Sequence, residues 1–257
     1  MSLPLLETQQ LAVTIAGRRV VESLNLQLCK GERLAILGCN GAGKSTLLST
    51  LAGLRSPAVG RLLFNGDDAT LLDTRQLALR RAWLGQFQPD PFGSTVLETA
   101  LTGRHPHLGR WNWESKHDTE LARGALKAVG LAGMESRHIH TLSGGERQRL
   151  AIATLLTQAP SLYLLDEPLS HLDLNHQMAV LELFASTARD CGAGIIMVLH
   201  DPALAHRFCD RALLLYGDGR TEIGAVDRIL TAETLSELYG YRLRQIEDRG
   251  YRCFIPE

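Results

Sequence analysis

"RLAILGCNGAGKSTLL", Arg33 to Leu48, sets a short apolar run against a glycine-rich break and then a helical pattern. Runs such as "RLAIL" (Arg33–Leu37) suit a strand buried on both faces, and "STLLSTLAGL" reads as the following helix. Between them "GCNGAGKS" satisfies G-x-x-x-x-G-K-[ST]. In that pattern glycines let backbone N–H groups wrap phosphate oxygens at a helix N-terminus. Gly38, Cys39, Asn40, Gly41, Ala42, Gly43, Lys44, Ser45 and Thr46 are therefore the candidate phosphate-binding stretch. Lys44 brings a point charge, and the Ser45 hydroxyl is a candidate Mg²⁺ ligand. A glycine-rich turn with a surface lysine is the bland alternative.

Two further apolar runs behave in the same way. "LYLL" (Leu162–Leu165) ends in "DEP", and "IIMVL" (Ile195–Leu199) ends in "HD". Helical patterns follow each, so the expected class is α/β with a mostly parallel core sheet. In open sheets of this kind ligands bind beyond the carboxyl ends of the strands, where all the unusual residues here fall. Asp166 is the expected Mg²⁺ partner, and Glu167 the candidate general base for a water attacking a γ-phosphate. Acidic residues at a strand end can also simply cap the next element.

The opening "LLETQQLAVTI" and "VVESLNLQL" alternates more loosely, as an antiparallel flank would. Strand signals disappear between Gln86 and Ser161, where "STVLETALTGR" and "HDTELARGALKAVGL" predict an inserted helical subdomain. "RALLLYGDGRTEIG" predicts two strands joined by a Gly-Asp-Gly turn. "TAETLSELYG" predicts a short helix capped by Thr231 and closed by Gly240.

Composition narrows the function classes. The chain has 257 residues and a formal net charge of −1, which argues against a dominant nucleic-acid footprint. Five scattered cysteines fit a reducing compartment better than a disulfide framework or a zinc site. No basic-then-apolar leader opens the sequence, so a secretory signal is not expected. The apolar runs are strand-sized, far short of the roughly 20 residues of a membrane span.

"TLSGGERQRL" (Thr141–Leu150) starts a helix with two glycines in its first turn, where each costs up to about 1 kcal/mol relative to alanine. Ser143 and Glu146 alone read as a capping box. Gly144 and Gly145 leave bare backbone through which a large anion can approach the helix N-terminus. The phosphate loop, "LSGGERQ" and "LLDEP", in that order, resemble the ATP-binding cassette (ABC) ATPase family over essentially the whole chain. The resemblance implies one cassette: a core of about residues 1–86 and 161–257, and a helical subdomain of about 87–160. It also implies two cassettes pairing head to tail, with ATP and Mg²⁺ held between the phosphate loop of one and Ser143, Gly144 and Gly145 of the other.

Other positions carry over one by one. Gln86 in "WLGQFQ" matches the family's glutamine that contacts Mg²⁺ and senses the γ-phosphate, although Gln88 is close in register and a surface glutamine is the plain alternative. Asp173 in "SHLD" matches the aspartate that touches the partner cassette, and it also suits the N-cap of "LNHQMAVLELF". His200 matches the switch histidine at the γ-phosphate; a lone histidine after a strand is otherwise structural. Where many cassettes stack adenine on an aromatic residue, this sequence has Ile15.

"STVLETALTGRHPHLGRW" (Ser94–Trp111) and "LTAETLSELYGYRL" resemble the importer cassettes for iron–siderophore complexes, haem and cobalamin. That implies a separate permease pair, indirectly a substrate-binding protein, and a peripheral location at the cytoplasmic face of the inner membrane. The segment from Phe87 to Ser94 is the expected coupling loop to the permease. The rival is a non-transport ABC ATPase acting on DNA or ribosomes, but a long coiled coil or a second cassette is missing from the sequence. A phosphate-loop kinase or switch would leave LSGGERQ without a role. His105, His107, His138 and His140 form H-x-H pairs without the companions expected of a zinc site.

Overall fold

The computed structural model describes residues 3–86, 93–109 and 112–257. Of the coupling loop, Phe87 to Phe92 therefore lie outside the described residues, as do Gln88 and Trp111. Three layers of structure follow from the chain order. Strands β1 (Leu6–Ile15) and β2 (Arg18–Leu28) open the chain, followed by β3 (Arg33–Gly38) and helix α1 (Lys44–Leu51). Next come β4 (Val59–Phe64), β5 (Asp67–Asp68), α2 (Thr74–Arg80) and β6 (Arg81–Leu84). The helical stretch holds α3 (Val96–Leu101), α4 (Lys116–Ala128) and α5 (Gly144–Gln158). After it run β7 (Leu162–Leu165), α6 (Leu174–Cys191), β8 (Gly194–Val198), α7 (Pro202–Phe208), β9 (Arg211–Leu215) and β10 (Thr221–Ala225). The tail adds α8 (Val226–Ile229), α9 (Ala232–Tyr239), β11 (Leu243–Asp248) and β12 (Tyr251–Pro256).

The core is a six-stranded sheet in the order β10-β9-β3-β8-β7-β6, parallel except for the β9–β10 hairpin. A four-stranded antiparallel sheet, β2-β1-β4-β5, lies on one flank. Side chains alternate across a strand, and here that alternation divides the buried strands between two cores. Leu34, Ile36, Leu164, Ile196, Val198 and Leu213 face α1 and the antiparallel flank. Ala35, Leu37, Leu165, Ile195, Met197 and Leu214 face the opposite way, into an apolar cluster shared with α3, α4 and α5. Continuous apolar strands are thus required, because neither face of the core sheet meets water.

The helical stretch has no separate core: Val96, Ala100, Leu126, Leu150 and Ile152 belong to the same cluster as Leu84 and Leu165. Its helices start where sequence chemistry dictates. Thr95 caps α3 and Ser115 caps α4, each with a reciprocal box. Arg104 ties the start of this stretch to its end, donating from Nε to Asp118 Oδ1 at 2.7 Å and from Nη1 to Thr157 O at 3.1 Å. Both charged side chains are nearly buried, 11% and 10% exposed.

The expected hairpin at the tail forms, and Thr231 and Gly240 bound α9 as anticipated. The sequence reading left out β4, α2 and the terminal β11–β12 hairpin. Two residues, Arg249 (φ 48°) and Gly250 (φ 82°), turn that last hairpin. Positive φ at both central positions is the type I′ pattern, and the Asp-Arg-Gly sequence was its available signal.

Asp118 is held well below the usual carboxylate range, first by the Ser115 hydroxyl and N–H, then by Arg104. A depressed folded-state value gives stability that is present above the unfolded value and is lost as pH falls through the folded one. Arg104→Ala is expected to cost about 3 kcal/mol at neutral pH, measured by urea unfolding. The gap between wild type and Asp118→Ala should narrow only below the ordinary carboxylate range.

Candidate nucleotide site

Parallel register delivers the site. Leu84 pairs with Leu165, Leu165 with Met197, and Ile36 with Val198, so β6, β7, β8 and β3 end side by side. The loops leaving those ends meet in an open cleft of ≈ 580 Å³ lined by Asn40, Gly41, Gly43, Lys44, Gln86 and Glu167, with Ser45, Thr46, His200 and Ile15 completing the wall.

The phosphate loop wraps the N-terminus of α1, whose N-cap is Gly43 at φ 98°, with no side-chain cap and no acidic residue in the first turn. The first-turn N–H groups are left for an anion. Gly43 has no substitute for a second reason, since a Cβ there would lie 2.4 Å from Val20 Cγ1. Lys44 is buried and folds back, donating from Nζ to Gly38 O at 2.8 Å and Cys39 O at 3.0 Å. Burial lowers its pKa, against the pull of Glu167, Cys39 and Asp166.

Ser45 Oγ donates to Asp166 Oδ1 at 3.0 Å. Asp166 is 3% exposed, and desolvation pushes its pKa up despite that hydrogen bond. A hydroxyl beside a buried carboxylate that lacks enough positive charge is a hard-oxygen donor set, and it fits Mg²⁺ completed by phosphate and water.

Glu167 is the hub of the cleft. Gln86 Nε2 donates to its Oε1 at 3.0 Å, and His200 Nε2 lies 3.0 Å from the same oxygen. Ser170 Oγ donates to Oε2 at 3.4 Å, a contact the sequence reading missed. Glu167 itself sits at φ 50°. Left-handed backbone at a non-glycine residue costs of the order of 1 kcal/mol and persists where the surroundings enforce it.

The signature segment stands elsewhere. Ser143 caps α5 with its full box: Glu146 N donates to Ser143 Oγ at 3.2 Å, and Ser143 N donates to Glu146 Oε2 at 2.7 Å. Ser143 and Gly144 are exposed, and none of Ser143, Gly144 or Gly145 lines the cleft. Gly145 packs against the neighbouring turn, where a Cβ would meet His171 O at 3.0 Å; Gly144 has no such crowding. Gln148 Nε2 donates to Pro168 O at 3.1 Å, linking α5 to the Asp-Glu-Pro turn. Asp173 caps α6, accepting from His176 N at 2.9 Å, and remains exposed. Ile15 is 39% exposed on the cleft wall, an aliphatic surface where a base could lie. His107 and His138 instead take backbone partners, Gln158 O and Gly93 O.

Comparison with known proteins agrees with this geometry. Residues 21–170 match the ABC transporter family, and the chain belongs to that family. It is 39% identical to the hemin import ATP-binding protein of Gloeobacter violaceus, covering 98% of this chain and 92% of that protein. Against the cobalamin import ATP-binding protein of Halobacterium salinarum it is 36% identical over 93% of this chain, but it spans only 59% of that relative's length. A chain of an ABC transporter described as metal-chelate type, in an inward-facing conformation, superposes with TM-score 0.86 at 30% identity, covering 99% and 98% of the two chains. A dimeric bacterial ABC transporter cassette superposes with TM-score 0.74 at 26% identity, covering 84% and 97%. Among the described residues no helix is long and apolar enough to cross a membrane.

The two signature glycines should separate on substitution. Gly144→Ala is expected to gain about 0.5 kcal/mol from helix propensity. Gly145→Ala, which drives a Cβ onto His171 O, should be less stable than Gly144→Ala by about 1 kcal/mol or more. Urea midpoints of the two variants check the order.

Proposed function

We propose that this chain is the ATP-hydrolysing subunit of an importer that moves a metal chelate (an iron–siderophore complex, haem or cobalamin) through a separate permease. The observation that carries the reading is the cleft in which Lys44, Ser45, Asp166, Glu167, Gln86 and His200 converge while the glycine-opened N-terminus of α5 faces outward. The names of the relatives point the same way, and a DNA- or ribosome-directed ATPase finds no support among them.

In this reading the N–H groups from Gly38 to Thr46 cradle the β- and γ-phosphates, and Lys44 exchanges its carbonyl partners for phosphate oxygens. Mg²⁺, held by Ser45, Asp166 and Gln86, would supply charge neutralisation to the phosphates. Glu167 takes the proton of the attacking water; before nucleotide enters, Gln86 and His200 hold its Oε1 in the cleft. Ser143, Gly144 and Gly145 of one copy complete the site of a second copy, and Asp173 stands at the same interface. The helical subdomain, about residues 87–160, grips the permease at the cytoplasmic face of the inner membrane, with Gln86 at its entrance. A substrate-binding protein would deliver the chelate on the far side.

The functional experiment is uptake of an iron chelate, haem and cobalamin by vesicles holding this chain and its co-purified permease, with ATP hydrolysis followed in parallel. ATP-dependent uptake of at least one of them is expected; co-purification with DNA or ribosomal components in place of a permease would overturn the reading. Glu167→Gln should keep ATP binding while hydrolysis falls by about 10² or more, the scale of general-base loss. It should also accumulate an ATP-bound dimer by light scattering. Near-normal turnover would remove Glu167 from the role.

The shared-site arrangement has its own test in the assembled complex. A Lys44→Ala copy paired with a Ser143→Arg copy has one site with both lesions and one intact site, whereas each homodimer has both sites damaged. Activity of the mixed pair above both parents is expected.

A further inference from the structure

Arg18 stands at the end of the turn that carries Ile15, and nothing in the motif pattern singles it out. Its guanidinium donates from Nε and Nη2 to Gly217 O, at 3.1 and 2.6 Å, and from Nη1 to Gly41 O at 3.3 Å. One side chain thus joins three segments distant in sequence: the β1–β2 turn, the phosphate loop, and the turn between β9 and β10. The packing around it is built for this. Gly217 sits at φ 84°, in the left-handed region that favours glycine, and a Cβ there would lie 3.0 Å from Arg18 Nη2.

The phosphate loop does not depend on this tie for its own shape. Gly43 packs on Val20, and a Cβ on Gly38 would meet Leu215 O at 2.5 Å, so both ends of the loop are wedged against neighbours. Lys44 stitches the loop internally through Gly38 O and Cys39 O. The turn from Ile15 to Arg18 is different. All four residues are exposed, and Ala16 (φ 47°) and Gly17 (φ 79°) both lie in the left-handed region. The β1–β2 ladder closes the turn by pairing Ile15 with Arg18, and the hydrogen bonds of the Arg18 side chain are what tie that exposed tip to the phosphate loop.

We propose that Arg18 is a positioning residue that fixes the distance between the nucleoside wall at Ile15 and the phosphate cradle at Gly41, and so governs affinity for the nucleoside part of the ligand. This rests on the reading of the cleft as an ATP site. An arginine fork suits the task, because its planar donors span two carbonyls at once, whereas a lysine ammonium is a single point. Holding both walls at one spacing before the ligand arrives lowers the ordering cost of binding.

The experiment measures binding of ATP and of inorganic tripolyphosphate to the purified chain by calorimetry, in wild type, Arg18→Ala and Arg18→Lys. Tripolyphosphate reports on the phosphate cradle alone. In Arg18→Ala the Kd for ATP is expected to rise roughly tenfold, with the tripolyphosphate Kd changed by less than about twofold and the unfolding midpoint close to wild type. Arg18→Lys should recover only part of the loss. Equal weakening for both ligands, or no weakening of ATP binding, would overturn the positioning role. If wild type binds neither ligand, the nucleotide reading of the cleft fails instead.

Discussion

The hydrogen bond from Ser45 to Asp166 joins the first turn of α1 to the end of β7, and the cleft is organised around it. It is an uncomfortable interaction. Asp166 is nearly buried, with the Ser45 hydroxyl as its side-chain partner, and burial pushes its pKa up. Lys44, one residue away, is desolvated in the opposite sense, with its pKa lowered by burial. The two opposite charges do not bond each other; Lys44 is turned onto carbonyls. A buried charge without its counter-charge is costly, and a ligand bringing an anion for Lys44 and a cation for Asp166 relieves both at once. In the proposed reading the site is complementary to a metal–polyphosphate pair.

Two helix N-termini face such a ligand from different logic. That of α1 is left open, capped by a glycine with no side-chain acceptor, so its donors are free before any ligand arrives. That of α5 is internally satisfied by the Ser143–Glu146 box, and the bare backbone at Gly144 stays uncrowded beside it. In the proposed reading the open end binds the phosphates, and the satisfied end docks onto a nucleotide already bound by a second copy. The tight contact of Gly145 with His171 O, and of Gln148 with Pro168 O, joins that docking surface to the loop that begins at Glu167.

Much of this was legible in the residues. Runs buried on both faces announce parallel strands, and the three polar breaks that follow them hold the cleft chemistry, so order along the chain was enough to locate Lys44, Asp166 and His200. Caps were equally readable: Ser143, Asp173 and Thr231 each accept the N–H that their spacing anticipates. What stayed hidden depends on tertiary closeness between segments with weak local signals. Arg18 meets its carbonyl partners across sequence separations of 23 and 199 residues. Ser170 reaches Glu167 only because the chain turns back on itself after the left-handed backbone at Glu167, with Ser170 N donating to Glu167 O.

That left-handed turn bears on how chemistry and movement share one loop. Gln86 and His200 both lean on Glu167 Oε1, one from the end of β6 and one from beyond β8. A γ-phosphate entering the cleft competes for Gln86 and His200 with the carboxylate they now hold. Swinging a two-state arrangement from almost fully open to almost fully closed needs about 5.5 kcal/mol of differential binding. No single rearranged hydrogen bond approaches that, at about 1 kcal/mol net each. In the proposed reading the sum comes from contacts made only when a second cassette closes over the nucleotide, and the exposed end of α5 and the contacts around Glu167 then belong to one mechanism.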